Sequence, residues 1–453
     1  MRLGGQRRQS EEGKAEDRCQ PMPHRPPSGE TGPVRPRGAG ISLRESRPDL
    51  PMRPLSSDPP RQPTDHGLRR DRRAAFAGIF AVTLLALLSV GAVLPVLPRY
   101  VRGPLDAGNI AVGVVIGSYA ITGLLLRPFA GRFADHRGRK PTVFAGSCLV
   151  AMGGFMYLLP LGVLGLILAR LVLGAGEGAV FTGGSAWIVD LAPPGRRGRV
   201  IGLYGLAVWA GLSIGPLLGE LLLHASGYSE VWLLAGALPL LGAAIATRVP
   251  DPFQPAPGIE SEHHPLIARE AVRPGAALAL GSIGYAAIAA FVVLHLEARG
   301  VGHGATVFGA FATMVVITRL LGGDLPDRIG PARVATVAAV VEAVGLTTIA
   351  FAHSLGVALA GALAMGAAFS LLYPSLSLIV VSRVSDRRRG AALGTFTAFF
   401  DAGVGLGAPL AGLASALTSY EGAFLLSAAI ALASAAAIAL TIAPRGRTLL
   451  ATR

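Results

Sequence analysis

Twelve apolar runs of about 20 residues follow one another between residues 74 and 443, and short polar segments separate them. A helix of this length spans the hydrocarbon core of a bilayer. Charged residues make up only 15% of the chain, whereas a soluble domain carries roughly 25%. The sequence therefore predicts an all-α membrane protein with twelve transmembrane helices. The runs lie near 74–97, 109–130, 141–161, 163–189, 198–223, 229–248, 273–296, 304–325, 332–352, 354–381, 389–416 and 421–443.

The segments outside these runs are polar. Residues 1–73 are rich in Pro, Arg, Gly and Ser and lack apolar periodicity, so they are predicted to be disordered. One interpretation is a basic cytoplasmic tail or an over-extended gene start. The alternative is a basic arm that binds anionic lipid. Residues 249–272 are predicted to be a cytoplasmic linker between six-helix bundles at 74–248 and 273–443. Residues 444–453 are predicted to be a second cytoplasmic tail.

The net charge of +14 is compatible with nucleic-acid binding, but the distribution of the basic residues excludes it. They concentrate in the N-terminal tail and in every second segment between the runs, which is the pattern that sets membrane orientation. We therefore expect a multi-pass protein of the cell membrane with both termini in the cytoplasm. The basic residues of these segments are Arg132, Arg137, Arg139, Lys140, Arg196, Arg197, Arg199, Arg328, Arg333, Arg383, Arg387, Arg388 and Arg389.

A repeat of 192 residues organises the chain. Shifting the sequence by this interval places matching residues on one another across roughly 90 positions without a gap. Six helices followed by six in the same orientation form a parallel repeat, with a substrate site expected between the halves. The matching pairs include Arg127 and Arg319, Gly131 and Gly323, Asp135 and Asp327, Gly138 and Gly330, Gly174 and Gly366, Gly211 and Gly403, and Gly215 and Gly407.

A short basic segment between the second and third runs carries Gly131, Asp135, Gly138, Arg139 and Lys140. Gly131 is expected to end the second helix at a close crossing, and Gly138 to allow a tight turn. Asp135 places an anion at the membrane edge, where the N-terminus of a neighbouring helix attracts it. Arg139 and Lys140 are expected to face the negative inner leaflet.

This segment resembles the loop signature of the major facilitator superfamily, and the resemblance covers residues 74–443. It implies the twelve-helix fold in two six-helix repeats and a conformational latch that holds the halves together in the outward-facing state. The alternative is a loop that only fixes topology. The second copy has Pro331 and Ala332 where Arg139 and Lys140 stand, which makes its role as a latch doubtful.

Three charged residues inside the runs are candidates for proton coupling: Arg170 and Glu177 in the fourth run and Asp401 in the eleventh. Charged side chains within the membrane usually line a cavity or have a partner. The spacing of seven residues places Arg170 and Glu177 on nearly the same helix face, so the two are expected to share a polar cavity. The alternative is that Arg170 lies near one membrane surface and that Glu177 is a structural hydrogen-bonding group.

The fifth run carries Gly211, Gly215, Pro216 and Gly219 in the pattern GxxxGPxxG. Its glycines share one helix face and allow close helix packing, and the proline can bend the helix. The pattern resembles the signature of the drug and metabolite antiporter branch of the superfamily. It departs from that signature at Glu220, where a further glycine is expected.

Several other residues are weaker candidates. Glu342 is expected to pair with a neighbouring side chain. Arg127 and Arg319 are expected near the cytoplasmic edge of the membrane, with their guanidinium groups reaching the membrane–water interface. Pro95 and Pro98 are expected to end the first helix. Aromatic residues that either line a pocket or only pack in the core are Tyr119, Phe181, Trp187, Trp209, Tyr373 and Phe396.

No phosphate-binding loop, metal-ligand cluster or catalytic set is evident, so no enzyme activity, cofactor or metal is predicted. His263 and His264 are expected to be solvated. The predicted function is secondary transport by alternating access, driven by protons and directed towards export of a small amphiphilic molecule such as a drug, sugar or metabolite. A nutrient symporter or uniporter, and a non-transporting sensor or scaffold, remain alternatives. The expected partners are the substrate, protons and the lipid bilayer, and a monomer is the default.

Overall fold

The structure is a computed structural model that describes residues 65–191, 197–251, 268–385 and 389–442. These residues form helices and no β-strand. The helices are α1 Asp65–Val93, α2 Val96–Arg102, α3 Asn109–Arg137, α4 Arg139–Met156, α5 Gly162–Leu191, α6 Arg197–Ser226, α7 Tyr228–Arg248, α8 Arg269–Ala298, α9 Gly304–Gly322, α10 Leu325–Ile329, α11 Pro331–Ala350, α12 Leu355–Val381, α13 Arg389–Leu417 and α14 Tyr420–Ala437, with a π-helix at Ile438–Ile442.

The all-α prediction is confirmed. Among the described residues, eleven helical segments are long and apolar enough to cross a membrane. The remaining one of the twelve predicted spans is α4, which has 18 residues and begins with Arg139 and Lys140. The first span consists of α1 and α2, since Leu94 and Pro95 interrupt it in a turn. Pro98 lies inside α2 and does not end the span.

The two-fold repeat is visible in the helix boundaries. The glycine that separates the second and third spans of each half has a positive φ, 103° at Gly138 and 105° at Gly330. Since a positive φ strains other residues, both positions favour glycine. Three helices of the second half, α11, α13 and α14, begin 192 residues after α4, α6 and α7.

We call α1–α7 the N-half and α8–α14 the C-half. The halves meet mainly where α3 packs against α13 and where α6 packs against α9. Near the start of α3 the backbones touch, because a Cβ atom built on Gly113 would lie 2.3 Å from the carbonyl oxygen of Ala408. At the same end of the molecule Arg99 forms ion pairs with Glu220 of the N-half and Glu297 of the C-half. We call this end the Arg99 side and the opposite end of α3 the Asp135 side.

The predicted end of the second helix is wrong. Gly131 lies inside α3, which continues to Arg137, and only Gly138 separates it from α4. Gly131 also does not mark a close crossing, because a Cβ atom there would lie 3.8 Å from Thr182, an ordinary contact distance. No proline or other helix breaker stands between Gly131 and Arg137, so the charged residues extend the helix beyond its apolar part.

Some predictions concern residues outside the described ranges. They include the disorder of the N-terminal tail up to residue 64, the two histidines His263 and His264, and the tail at 444–453. The described part of the tail differs from the prediction, since α1 begins at Asp65, nine residues before the first predicted run.

Candidate functional site

A buried ion cluster joins the two halves. It consists of Arg127 on α3, Glu177 on α5 and Asp401 on α13, and we call these three residues the ion cluster. Nε of Arg127 lies 2.8 Å from Oδ2 of Asp401, and Nη2 donates a hydrogen bond of 3.2 Å to Oδ1. The same Nη2 lies 3.6 Å from Oε2 of Glu177. Both carboxylates are 5% exposed.

The ion cluster has one cation for two carboxylates. With both acids ionised it carries one net negative charge in a buried site, which is unfavourable. Binding of one proton to either carboxylate removes this charge. The ring of Phe181 packs beside the cation, with its centroid 5.2 Å from the guanidinium carbon of Arg127. The cluster is therefore chemically suited to hold and release one proton.

The structure pairs Glu177 differently from the sequence-based expectation. Arg127, rather than Arg170, contacts Glu177. Seven residues along a helix correspond to about 10 Å, and the Arg170 guanidinium turns towards α3, where Nη2 donates to the carbonyl oxygen of Ile116 at 3.1 Å. Arg127 is only 19% exposed, so it does not extend to a membrane surface as expected.

Arg170 lines a small cavity of about 40 Å³ between the halves. The residue is 1% exposed, and its guanidinium carbon lies 4.6 Å from the centroid of the Tyr119 ring. Its Nε and Nη1 atoms have no hydrogen-bond acceptor among the described residues. We call this space the central cavity. Its other lining residues are Leu87, Val90, Leu94, Ile116, Tyr119, Leu212, Tyr285, Ala286, Ala289 and Val404.

An aromatic cluster lies on the C-half side of the central cavity. Tyr285, which lines the cavity, stacks on Phe369 at a centroid distance of 5.5 Å and on Phe400 at 6.3 Å. Such distances are typical of favourable ring pairs. The sequence singled out Trp209 but not Tyr285, which stands alone in an apolar run. The aromatic cluster comprises Trp209, Tyr285, Phe308, Phe311, Phe369 and Phe400.

The repeat relates acids to aromatic rings. Shifted by 192 residues, Glu177 falls on Phe369, and Trp209 falls on Asp401. Trp209 and Phe369 contact each other at 5.6 Å between centroids. Arg319, the counterpart of Arg127, donates to the carbonyl oxygen of Ser370 at 3.4 Å. Arg127 therefore contacts two carboxylates, whereas its counterpart Arg319 bonds to a backbone carbonyl.

The remaining predicted aromatic residues lie away from the central cavity. Trp187 and Phe396 are fully buried, and Phe396 packs against Tyr373 at 5.1 Å between centroids. The Tyr373 hydroxyl lies 2.8 Å from Oγ1 of Thr397. Trp187 therefore packs within the N-half, and Tyr373 and Phe396 pack within the C-half. None of these three side chains lines the central cavity.

The basic segment on the Asp135 side makes a small ionic network within the N-half. Arg139 lies 2.5 Å from Oδ1 of Asp135 and 3.1 Å from Oδ2 of Asp190 at the end of α5. The backbone N–H of Lys140 donates to Asp251 at 3.2 Å. Asp135 is 68% exposed, so in this conformation its carboxylate is accessible to solvent.

The glycines of the fifth span pack α6 closely against α1. A Cβ atom on Gly215 would lie 2.7 Å from the backbone nitrogen of Ala92, and one on Gly219 would lie 2.0 Å from its carbonyl oxygen. Gly211 approaches Leu88 in the same way. Pro216 lies within α6 between these contacts.

Glu220 follows this face and takes part in an ionic network on the Arg99 side. It accepts a hydrogen bond from Arg99, which also donates to Glu297. His224 lies 3.0 Å from the other oxygen of Glu220. The residue that replaces the expected glycine, Glu220, thus adds a carboxylate to the Arg99 network, which connects the two halves.

Glu342 on α11 has no partner among the described residues. It is fully buried, and neither carboxylate oxygen has a hydrogen bond. A Cβ atom on Gly284 of α8 would lie 2.5 Å from Oε1, so this glycine makes room for the carboxyl group. The expected pairing with a neighbour is not observed.

Comparison with known proteins identifies the family. The family described as Major Facilitator Superfamily matches residues 79–339 and 276–452. An uncharacterized MFS-type transporter of Salmonella typhimurium is 36% identical over 378 residues, which cover 80% of this chain and 95% of that protein. The uncharacterized MFS-type transporter YhhS of Escherichia coli is 34% identical over 368 residues, which cover 79% of this chain and 89% of that protein.

A solved structure agrees with this assignment. The nucleoside transporter NupG superposes with a TM-score of 0.71 at 15% sequence identity, covering 81% of this chain and 99% of that protein. At this identity the likeness concerns the fold. Proteins of this family bind small-molecule substrates within the membrane and are transporters rather than enzymes. The chain therefore belongs to the major facilitator superfamily and is a multi-pass secondary transporter.

Proposed function

We propose that this protein exports a small amphiphilic molecule in exchange for protons. The observation that carries the proposal is the ion cluster, in which a buried cation of the N-half is shared by a carboxylate of its own half and one of the C-half. A proton that binds to such a cluster changes the contact between the halves. The antiporter-like glycine pattern of α6 favours export over uptake.

Asp401 is the link between protonation and movement. Its carboxylate contacts Arg127 across the interface between the halves. Protonation removes its charge and weakens this ion pair, while Glu177 keeps the cation neutralised. The free energy difference between the two conformations then depends on the bound proton, which is the requirement for coupling. Arg170 contacts no carboxylate, so it contributes to the transport cycle through a different interaction from those of the ion cluster.

The conformation described here is proposed to face the cytoplasm. The helices of the two halves are closely packed on the Arg99 side, and the distribution of basic residues supports a cytoplasmic location for the Asp135 side in a protein of the cell membrane. Both termini then lie in the cytoplasm. Residues 74–248 and 273–443 move as two bundles connected by the linker at 249–272.

Gly131, Asp135, Gly138, Arg139 and Lys140 are proposed to form a latch for the opposite conformation. In the present conformation Asp135 is exposed and held by Arg139 within the N-half, which leaves it ready to meet the start of a C-half helix when the Asp135 side closes. Gly138 allows the sharp turn that presents this group. Asp135→Asn is expected to slow turnover severalfold without lowering the amount of folded protein.

The coupling is tested in proteoliposomes that contain a pH-sensitive dye and carry an imposed pH gradient. The panel consists of naphthalenesulfonate, naphthalenesulfonamide and trimethyl(naphthylmethyl)ammonium, which share a ring system and differ in charge. None of them carries protons across a bilayer as a weak acid or base does. At least one member is expected to dissipate the gradient faster than in protein-free liposomes.

Asp401→Asn and Glu177→Gln are expected to abolish most of this proton-linked flux, because each removes a titratable group from the ion cluster. Glu421→Gln is the matched control, since Glu421 pairs with Arg299 at a helix end on the Arg99 side. If both cluster variants exchange protons at the wild-type rate, these carboxylates have no role in coupling. Transport without any proton movement in the wild type would contradict antiport and favour the uniporter.

A further inference from the structure

We propose that the central cavity binds an oxyanion through Arg170, so that the transported molecule is an organic anion with an apolar body. The inference rests on the proposed transport function and adds the chemical class of the substrate. It concerns a different residue from those of the ion cluster, and its test can fail independently of proton coupling.

Arg170 is a buried cation whose charge is not compensated by a contacting carboxylate. The nearest acid on its own helix, Glu177, is engaged with Arg127. Among the described residues, Arg170 has one hydrogen bond, to the carbonyl oxygen of Ile116, and the face of its guanidinium lies on the Tyr119 ring. The hydroxyl of Tyr157 lies close to Arg170, but it has no hydrogen-bond partner of acceptable geometry among the described residues. A buried cation in this state is unfavourable unless a partner arrives.

The unused donors define the kind of partner. Nε and Nη1 are buried and lack acceptors among the described residues. Each of these N–H groups can donate a charge-assisted hydrogen bond to a carboxylate, sulfonate or phosphate oxygen, alone or together with the second N–H of the adjacent Nη2. Tyr119 and Ile116 hold the guanidinium in place before such a group binds. The site therefore has the geometry and the charge to recognise an oxyanion.

The rest of the cavity wall determines the body of the ligand. Leu87, Val90, Leu212 and Val404 supply aliphatic surface, and Tyr285 connects the cavity to the aromatic cluster. These groups favour an apolar or aromatic body. The cavity of about 40 Å³ has room for a small headgroup, so a complete ligand requires the halves to move further apart around the cavity than they are in this conformation.

The inference is tested with purified full-length protein in detergent. Binding of naphthalenesulfonate and naphthoate is measured by isothermal calorimetry beside the neutral sulfonamide and the quaternary ammonium compound. The two anions are expected to bind more tightly than the neutral and cationic compounds. Arg170→Gln is expected to weaken anion binding by about tenfold or more, as loss of a charge-assisted hydrogen bond does. Arg170→Lys is expected to retain part of the affinity.

A second pair of variants keeps the test valid if Arg170→Gln does not fold. Leu212 lines the cavity beside Arg170, so Leu212→Glu places a tethered carboxylate near the guanidinium and is expected to compete with the anions. Leu212→Gln has the same size without the charge. Anion binding is expected to be about tenfold weaker in Leu212→Glu than in Leu212→Gln, while binding of the ammonium compound is not weakened by the added charge.

The outcomes separate the two proposals. Failure of both anions to bind, or equal weakening of all compounds by Arg170→Gln, overturns the anion site. If the neutral or the cationic compound alone is exchanged for protons in proteoliposomes, the antiport proposal stands and the anion site is overturned. If the anions bind through Arg170 but move without protons, the anion site stands and the antiport proposal is overturned.

Discussion

Glu342 is a buried carboxylate outside both the ion cluster and the central cavity. It packs between α11 and α8 with no hydrogen bond to its oxygens among the described residues, whereas its counterpart in the N-half, 192 residues earlier, is the buried Val150. An unpartnered carboxyl group in an apolar environment lowers stability whether it is ionised or neutral. The equivalent position in the other half shows that the fold needs no acid there.

Glu342→Met is therefore expected to stabilise the protein by about 1–3 kcal/mol, because it keeps the side-chain length and removes the unsatisfied polar atoms. The measurement is the thermal unfolding midpoint of purified protein in detergent. It is determined by size-exclusion chromatography of samples that were heated to different temperatures. Glu342→Gln retains a polar group and serves as the comparison, with a smaller gain. A lower midpoint for the Met variant, or loss of transport with unchanged stability, would assign Glu342 a functional role.

The sequence identified individual charged residues better than their partners. Arg170, Glu177 and Asp401 were recognised because charges in apolar runs are rare, and all three are buried. The partner of Glu177 was missed because it depends on the crossing of α3, α5 and α13, which no local pattern specifies. Helical spacing predicted that Glu177 shares a polar cavity with Arg170, yet the cation in contact with its carboxylate is Arg127 on a neighbouring helix.

At the scale of the element, the glycine spacing of the fifth run is easier to relate to the structure than the predicted helix ends are. The spacing of Gly211, Gly215 and Gly219 places them on one face, and that face touches the backbone of α1. Helix ends near charged residues were predicted less well. The basic motif on the Asp135 side is mostly helix, since charge alone does not end a helix once it leaves the hydrocarbon core.

Gly215→Ala is expected to destabilise the protein by about 1–3 kcal/mol, because its Cβ atom would overlap the backbone of Leu88 and Ala92. Neither neighbour can move without shifting α1. Gly394→Ala is the matched control, since a Cβ atom on Gly394 meets nothing within 4 Å and alanine favours a helix. Thermal unfolding of both variants in detergent measures the difference. Equal stability of the two would show that α1 and α6 separate easily.

At the scale of the whole molecule, contacts between the halves decide which side is open. On the Arg99 side, Arg99 joins α2 to Glu220 of its own half and Glu297 of the other. On the same side, Gly113 and Gly117 bring α3 against the backbone of α13. The twelve-helix fold and its symmetry followed from the sequence, but these contacts between the halves did not, because they depend on how helices far apart in the chain meet.

Arg99→Gln is expected to shift the population towards conformations that are open on the Arg99 side. Loss of partly exposed ion pairs corresponds to about 1 kcal/mol, or about a fivefold change in the ratio of conformers. Double electron–electron resonance measures the distribution of distances between spin labels at 158 and 351 on the Arg99 side. The labels are introduced in a background with Cys19→Ser and Cys148→Ala. Labels at 136 and 328 report on the Asp135 side.

The population with long distances between 158 and 351 is expected to grow, and that between 136 and 328 to decline. Arg102→Gln is the control, because Arg102 lies on the same short helix and bonds to Ala107 within its own half. An unchanged distance distribution in Arg99→Gln, or the same change in both variants, would exclude Arg99 as a determinant of closure.

Two repeat-related positions hold an acid in one half and an aromatic residue in the other, and this difference bears on how the two halves evolved. A repeat without gaps over roughly 90 residues indicates duplication of a six-helix ancestor, and two newly duplicated halves are identical. Glu177 and Phe369 then derive from one ancestral position, as do Trp209 and Asp401. The ion cluster therefore combines one acid from each copy, and an ancestor with identical copies could not have held this set of charges beside an aromatic cluster. The separation into an ion cluster and an aromatic cluster arose after the duplication, by at least one substitution at each of the two positions.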